Sequence, residues 1–158
     1  MESLFRTNDP QEAHRYFTAK ANFSTGPGEL QTALEHGRRV GVDFTLIDVR
    51  SAEDYSKGHL PGAVNLPEER WSTFAGLAND KLNLIYCATA QCHLAARAGV
   101  EFTGAGYSVM EVDGGIAAWK AHGFAIETIP VGGLKRVTPP PFRGPHENDG
   151  RFANESIL

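Results

Sequence analysis

Short apolar runs alternate along this chain with segments whose apolar residues recur at helical spacing. Four runs predict strands, the second of them short and buried: residues 44–49, 63–66, 82–87 and 107–112. A short helix is predicted after Asp9 and Pro10, and further helices at residues 28–39, 51–57, 68–77, 92–102 and 116–122. Because no hairpin signal joins the strands, the pattern indicates an α/β fold: a parallel sheet of about five strands with helices on both faces.

The same pattern divides the chain into three parts. Residues 1–21 form a polar N-terminal segment, and residues 22–129 hold the predicted sheet. Residues 130–158 contain five of the nine prolines and no hydrophobic period, so they are predicted to form an extended or disordered tail. Phe142 and Phe152 could dock this tail onto the folded body or onto a second copy, which leaves room for a homodimer.

Composition and charge exclude several classes of partner. The chain has 158 residues and a formal net charge of −4 without a long run of Lys or Arg, which argues against nucleic acid or an acidic membrane as the main partner. No apolar stretch approaches the roughly 20 residues of a membrane span, and the first ten residues lack the apolar segment of a secretory signal. Two cysteines five positions apart are a poor disulfide framework, so a reducing, cytoplasmic location is expected.

Cys87 is the candidate catalytic residue. It ends the apolar run at residues 82–87 and is followed at once by a short loop and an alanine-rich helical stretch. In a parallel sheet the site lies beyond the carboxyl ends of the strands, where this thiol is placed. There it would meet unpaired backbone N–H groups and the positive end of a helix dipole, which favour the nucleophilic thiolate. The sequence therefore predicts an enzyme of sulfur chemistry with an acidic Cys87 thiol.

Three motifs occur in order along residues 22–127. They are the strand and turn that open the folded body, the cysteine with its tight loop and helix, and a closing glycine turn. The first covers residues 46–51 (Leu-Ile-Asp-Val-Arg-Ser) and 58–67 (Gly-His-Leu-Pro-Gly-Ala-Val-Asn-Leu-Pro), the second begins at residues 86–87 (Tyr-Cys), and the third is residues 112–115 (Val-Asp-Gly-Gly) with Trp119 behind it. Together they resemble the rhodanese domain family.

The resemblance implies a sulfurtransferase of the thiosulfate sulfurtransferase class. Cys87 would attack the outer sulfur of a small donor such as thiosulfate and pass it, through a persulfide, to a thiophilic acceptor. Asp48 and Arg50 would form an ion pair that supports the site without touching the substrate, and no metal or organic cofactor is implied. The backbone N–H groups of the substrate-binding loop would hold the anionic sulfur; its residues are Ala88, Thr89, Ala90, Gln91 and Cys92.

The loop departs from the family pattern. Many single-domain rhodaneses carry Arg, Gly and Arg where this chain has Ala88, Ala90 and Cys92, so the loop keeps backbone donors but has no fixed positive side chain. Related phosphatases and arsenate reductases have a longer loop closed by Arg at the position of His93, so phosphate chemistry is not expected. His93 could instead support the thiolate or shuttle protons, or simply face solvent.

Two alternatives to sulfur transfer remain open on these residues. Cys92 could resolve a Cys87 persulfide or sulfenic acid into a disulfide, which would make a thiol redox switch, or it could be a small residue filling a helical turn. A non-catalytic interaction module would keep the fold and use the tail as its partner contact. Outside the loop, His59 is predicted to pin its turn through a hydrogen bond, and Trp71 and Trp119 to belong to the core or its rim.

Overall fold

The alternating pattern builds one parallel sheet, seen in a computed structural model that describes residues 6–129. The strands are β1 (Ser24–Thr25), β2 (Phe44–Asp48), β3 (Val64–Asn65), β4 (Leu82–Tyr86) and β5 (Val109–Val112), in the order β1-β5-β4-β2-β3. The helices are α1 (Pro10–Phe23), α2 (Pro27–Glu35), α3 (Ala52–Lys57), α4 (Leu94–Gly104) and α5 (Gly115–Ala121), and a 3₁₀ helix (Glu68–Thr73) precedes β4. The predicted fold class is confirmed.

Alternation along the central strand separates two hydrophobic cores, one on each face of the sheet. Leu84 and Tyr86 of β4 pack in a core that includes residues of α2 and α5. Ile85 of β4 and Cys87, the residue after the strand, pack in the other core, which includes residues of α4 and the 3₁₀ helix. Tyr86 and Cys87 are adjacent in sequence but belong to opposite faces of the sheet.

Several predicted elements differ from the structure, among them the helix at residues 28–39, which ends at Glu35, and the strand at residues 107–112, which begins at Val109. The helix predicted at residues 68–77 is a 3₁₀ helix that ends at Thr73, because Phe74 adopts a left-handed backbone conformation with a φ of 52°. The helix predicted to start at residue 92 begins at Leu94. The strand at residues 63–66 was predicted to be buried, but Val64 is 46% exposed because β3 is an edge strand.

Residues 10–25 form a longer helix than predicted and one strand that the sequence pattern did not predict. β1 has two residues, too few to show a period, and pairs with β5 at the sheet edge. α1 is capped by Asp9, whose carboxylate accepts a hydrogen bond from the Gln11 N–H at 2.9 Å, and runs for 14 residues without burying any of them.

Two earlier expectations concern membranes and the tail. Within residues 6–129 no helix combines the length and the hydropathy that a membrane crossing requires. The predicted tail at residues 130–158, with Phe142 and Phe152, lies outside the described residues.

Candidate active site

Cys87 directly follows β4 at the carboxyl end of the sheet. β4 lies between β5 and β2, and the residue is only 2% exposed. The Cys87 Sγ lies 3.3 Å from the carbonyl oxygen of Cys92 and 3.9 Å from that of Thr89. The cysteine loop, residues 87–92, therefore folds back over the thiol, while Thr89, Ala90 and Gln91 face solvent.

Backbone N–H groups approach both sulfurs of the cysteine loop. The N–H groups of Ala95 and Thr89 stabilise the thiolate of Cys87, and those of Leu94 and Ala88 stabilise the thiolate of Cys92. The N–H of Cys92 donates to the Thr89 carbonyl at 3.1 Å, which closes the turn. The loop thus holds two sulfurs, and its donors are divided between them.

The two thiols interact electrostatically and differ in pKa. Burial, together with the interaction with Cys92, raises the pKa of the Cys87 thiol to about 11. Burial also acts on Cys92, but the interaction with Cys87 and the two N–H groups outweigh it and lower the pKa of Cys92. Cys92 therefore loses its proton at a lower pH than Cys87 does.

The expectation that the Cys87 thiol is acidic was wrong in direction. Its pKa is raised because the sulfur is placed inside a core, where the charged form loses solvation. The N-terminus of α4 is also further along the chain than predicted, since the helix begins at Leu94. Periodicity located the strand end but could not show how deeply the loop buries the sulfur.

The closing glycine turn contacts the cysteine loop, a role that the sequence reasoning missed. The N–H groups of Ile116 and Ala117 donate to the carbonyls of Cys87 and Ala88 at 3.0 and 2.9 Å. Gly115 has a φ of +60°, and a Cβ placed on it would collide with the Cys87 carbonyl oxygen and lie 2.9 Å from the Ala88 carbonyl carbon. A side chain at this position would push the loop away, and the paired glycines before α5 were the available signal.

Asp48 and Arg50 form a buried ion pair at the end of β2. The Arg50 Nη2 lies 2.6 Å from the Asp48 Oδ2 and also 2.6 Å from the carbonyl oxygen of Gly58. The Tyr86 hydroxyl donates to Asp48 at 2.8 Å and accepts from the Leu60 N–H at 3.0 Å. Burial and the Asp48 charge raise the pKa of Tyr86, so the hydroxyl remains a donor.

We call Asp48, Arg50 and Tyr86 together the Asp48 corner. This group joins β2, β4 and the turn after α3. The Arg50 side chain donates to Asp48 and Gly58, and the Tyr86 side chain belongs to the opposite core from Cys87. The ion pair that the resemblance implied is thus present, and it braces the neighbouring strand ends. Its role in supporting the reaction stays a prediction.

The side chains beside the cysteine loop are acidic rather than basic. Glu111 pairs with Ile85 across β5 and β4, and it interacts electrostatically with Cys92 and His93. Burial, followed by the charge of Asp113, raises the pKa of Glu111. Lys20 is bound to Asp113 at 3.3 Å. His93 itself is exposed at the N-cap of α4.

The remaining candidates, His59, Trp71 and Trp119, have structural roles in the turn and the cores. The His59 Nδ1 lies 2.8 Å from the Tyr55 carbonyl oxygen, and its ring stacks on Tyr55 at 3.8 Å, which confirms that it pins the turn. Trp71 and Trp119 are buried in the two cores. Among residues 6–129 no group of three His, Cys, Asp or Glu side chains could hold a metal ion.

Comparison with known sequences gives one family and several partial relatives. A family model described as a rhodanese-like domain matches residues 26–122. An HTH-type transcriptional regulator of Mycobacterium tuberculosis is 38% identical over 97 residues, which cover 60% of this chain and 43% of that protein. A tRNA sulfurtransferase of Desulfurococcus amylolyticus is 35% identical over 100 residues, which cover 63% of this chain and 20% of that protein. The chain thus spans less than half the length of either relative.

A solved structure gives the same fold. The rhodanese-like domain of an Anabaena sp. protein superposes with a TM-score of 0.58 and 28% identity, covering 79% of this chain and 97% of that domain. The family match includes both the cysteine loop and the Asp48 corner.

Proposed function

This chain belongs to the rhodanese-like domain family, and from that premise we propose that it is a sulfurtransferase with Cys87 as the sulfur carrier. The observation that carries the proposal is the position of Cys87: it directly follows the central strand, inside the family match, and the N–H groups of Thr89 and Ala95 stabilise its thiolate. One partial relative is a tRNA sulfurtransferase. The donor is a small sulfane sulfur compound, and the acceptor is a thiophile.

Sulfur transfer divides into two displacements at sulfur. The Cys87 thiolate attacks the outer sulfur of thiosulfate, the S–S bond of the donor breaks, and sulfite leaves with the electron pair. The acceptor then attacks the outer sulfur of the resulting persulfide, and the Cys87 thiolate is released. The N–H groups of Thr89 and Ala95 stabilise the anionic sulfur at each stage.

Loading by thiosulfate is expected to be slow. The Cys87 thiol must lose its proton first, and burial raises its pKa to about 11. The loop also offers no cation to attract a dianion, and Glu111 adds a carboxyl group beside it. Thiosulfate therefore serves here as a probe, and a persulfide of a small thiol is tested beside it.

The test is the intact mass of the Cys92→Ser protein after treatment with thiosulfate, in parallel with glutathione persulfide. This variant retains a single cysteine. We expect a gain of one sulfur atom that cyanide removes as thiocyanate. A protein carrying both Cys87→Ser and Cys92→Ser is the matched control and should gain none. If neither donor adds sulfur to the Cys92→Ser protein, the proposal fails and a non-catalytic interaction module becomes the better account.

A further inference from the structure

We propose that Cys92 is a second reacting thiol: it attacks the inner sulfur of the Cys87 persulfide, releases hydrosulfide and leaves a Cys87–Cys92 disulfide. This inference rests on the proposed function, because it needs a loaded Cys87. It adds a reaction that transfer to an external acceptor does not include. The protein would then deliver the sulfur as sulfide whenever no acceptor intervenes.

Geometry places the two cysteines in contact. Both lie in one short loop, and their thiols interact electrostatically. The Cys92 carbonyl oxygen lies 3.3 Å from the Cys87 Sγ, and the Cys92 N–H closes the turn on Thr89. Cys92 is therefore held over Cys87 before any sulfur arrives, so the attack needs no large movement of the chain.

Cys92 has the properties of an attacking thiol. It is more exposed than Cys87, and the N–H groups of Leu94 and Ala88 stabilise its thiolate. These donors are separate from those of Thr89 and Ala95, which remain with Cys87. The loop therefore supports a nucleophile and a persulfide at the same time.

The inner sulfur is the better target because of what must leave. Attack on the outer sulfur would expel the Cys87 thiolate, whose pKa is about 11, whereas attack on the inner sulfur expels hydrosulfide, a weaker base. Less basic leaving groups depart faster in exchange at sulfur.

The step balances without an added oxidant. The bond between the Cys87 sulfur and the outer sulfur breaks, and a bond between the Cys87 and Cys92 sulfurs forms. The outer sulfur is reduced and leaves as hydrosulfide, while the two cysteines are oxidised to the disulfide. A dithiol reductant then restores both thiols and completes the cycle.

The experiment loads reduced, desalted protein without oxygen, using thiosulfate and glutathione persulfide separately. Free thiols are then alkylated with iodoacetamide, released sulfide is trapped with monobromobimane, and the intact mass is measured. We expect wild type to lose two hydrogens, to resist alkylation and to release one equivalent of sulfide for each disulfide formed. The Cys92→Ser protein should keep the added sulfur and release no more sulfide than the Cys87→Ser protein.

A matched control is Ala105→Ser, which places the same new hydroxyl on an exposed residue that follows α4 at its far end. It should behave as wild type. Wild type that keeps the added sulfur on Cys87 while Cys92 is alkylated would overturn the inference and leave the proposed function standing. A disulfide that forms equally without donor would also overturn it. If the Cys92→Ser protein gains no sulfur from either donor, both proposals fail together.

Discussion

Two neighbouring strand ends in this molecule are built in opposite ways. The Asp48 corner, at the end of β2, holds a buried carboxylate that receives donors from Arg50 and Tyr86. The cysteine loop, at the end of β4, has two thiols and no charged side chain between them. β2 and β4 pair directly, with Asp48 opposite Tyr86, so both regions occupy the same edge of the sheet.

The difference separates the tasks of stability and chemistry. In the Asp48 corner each charged group meets its opposite charge and further hydrogen bonds, so these side chains are held in one arrangement. In the cysteine loop the sulfurs depend on backbone donors and on each other, and their pKa values are shifted in opposite directions. The Asp48 corner holds the strand ends in place. The cysteine loop beside it contains two thiols that can gain or lose a proton.

The largest expected effect comes from breaking the Asp48 corner. Asp48→Ala leaves the Arg50 guanidinium buried without its counter-charge, which should lower the free energy of unfolding by about 3–5 kcal/mol. Urea unfolding followed by circular dichroism measures the change. Asp80→Ala, at a carboxylate that is 78% exposed, should change it by less than about 0.5 kcal/mol. Equal losses in the two variants would contradict the distinct role of the corner.

A second effect should appear in the order in which the thiols react. Iodoacetamide should modify Cys92 before Cys87 near neutral pH, because the Cys92 pKa is lowered and the Cys87 pKa is raised to about 11. As the pH rises, alkylation of Cys87 should increase by about tenfold per unit up to that pKa, since only the thiolate reacts. Cys92 alkylation should level off at a lower pH. Peptide mass spectrometry gives both alkylation rates. Faster reaction at Cys87 than at Cys92 near neutral pH would contradict the order of the two pKa values.

The smallest effect should come from adding a positive charge to the cysteine loop, as Arg50 provides in the Asp48 corner. Ala88→Arg, in the Cys92→Ser background, should speed loading by thiosulfate by about fivefold, since one partly exposed charge contact contributes about 1 kcal/mol. The gain should shrink as salt is added. Ala88→Gln is the matched neutral variant and should show no gain. The intact mass of samples quenched at successive times gives the loading rate. Equal gains with Arg and Gln at position 88 would exclude an electrostatic cause.

The sequence alone predicted the architecture because periodicity is a local property. Apolar runs without hairpin signals were sufficient to predict a parallel α/β sheet, and three motifs were sufficient to indicate the family. The same local reasoning placed Cys87 at the end of a buried strand, and the family resemblance implied the pairing of Asp48 with Arg50. It failed at β1, which has only two residues, and at Val64, where the edge position of β3 determines exposure.

Tertiary structure alone decided the state of the thiols. The pKa of Cys87 depends on how deeply the second core encloses its sulfur and on which N–H groups reach it, and those groups belong to Thr89 and Ala95 rather than to one contiguous cradle. The contact between α5 and the Cys87 carbonyl joins segments nearly 30 positions apart, from Cys87 to Ile116. Local sequence patterns carry no information about such distances, so the position of Cys87 after a buried strand was predictable and the opposite shifts of the two thiol pKa values were not.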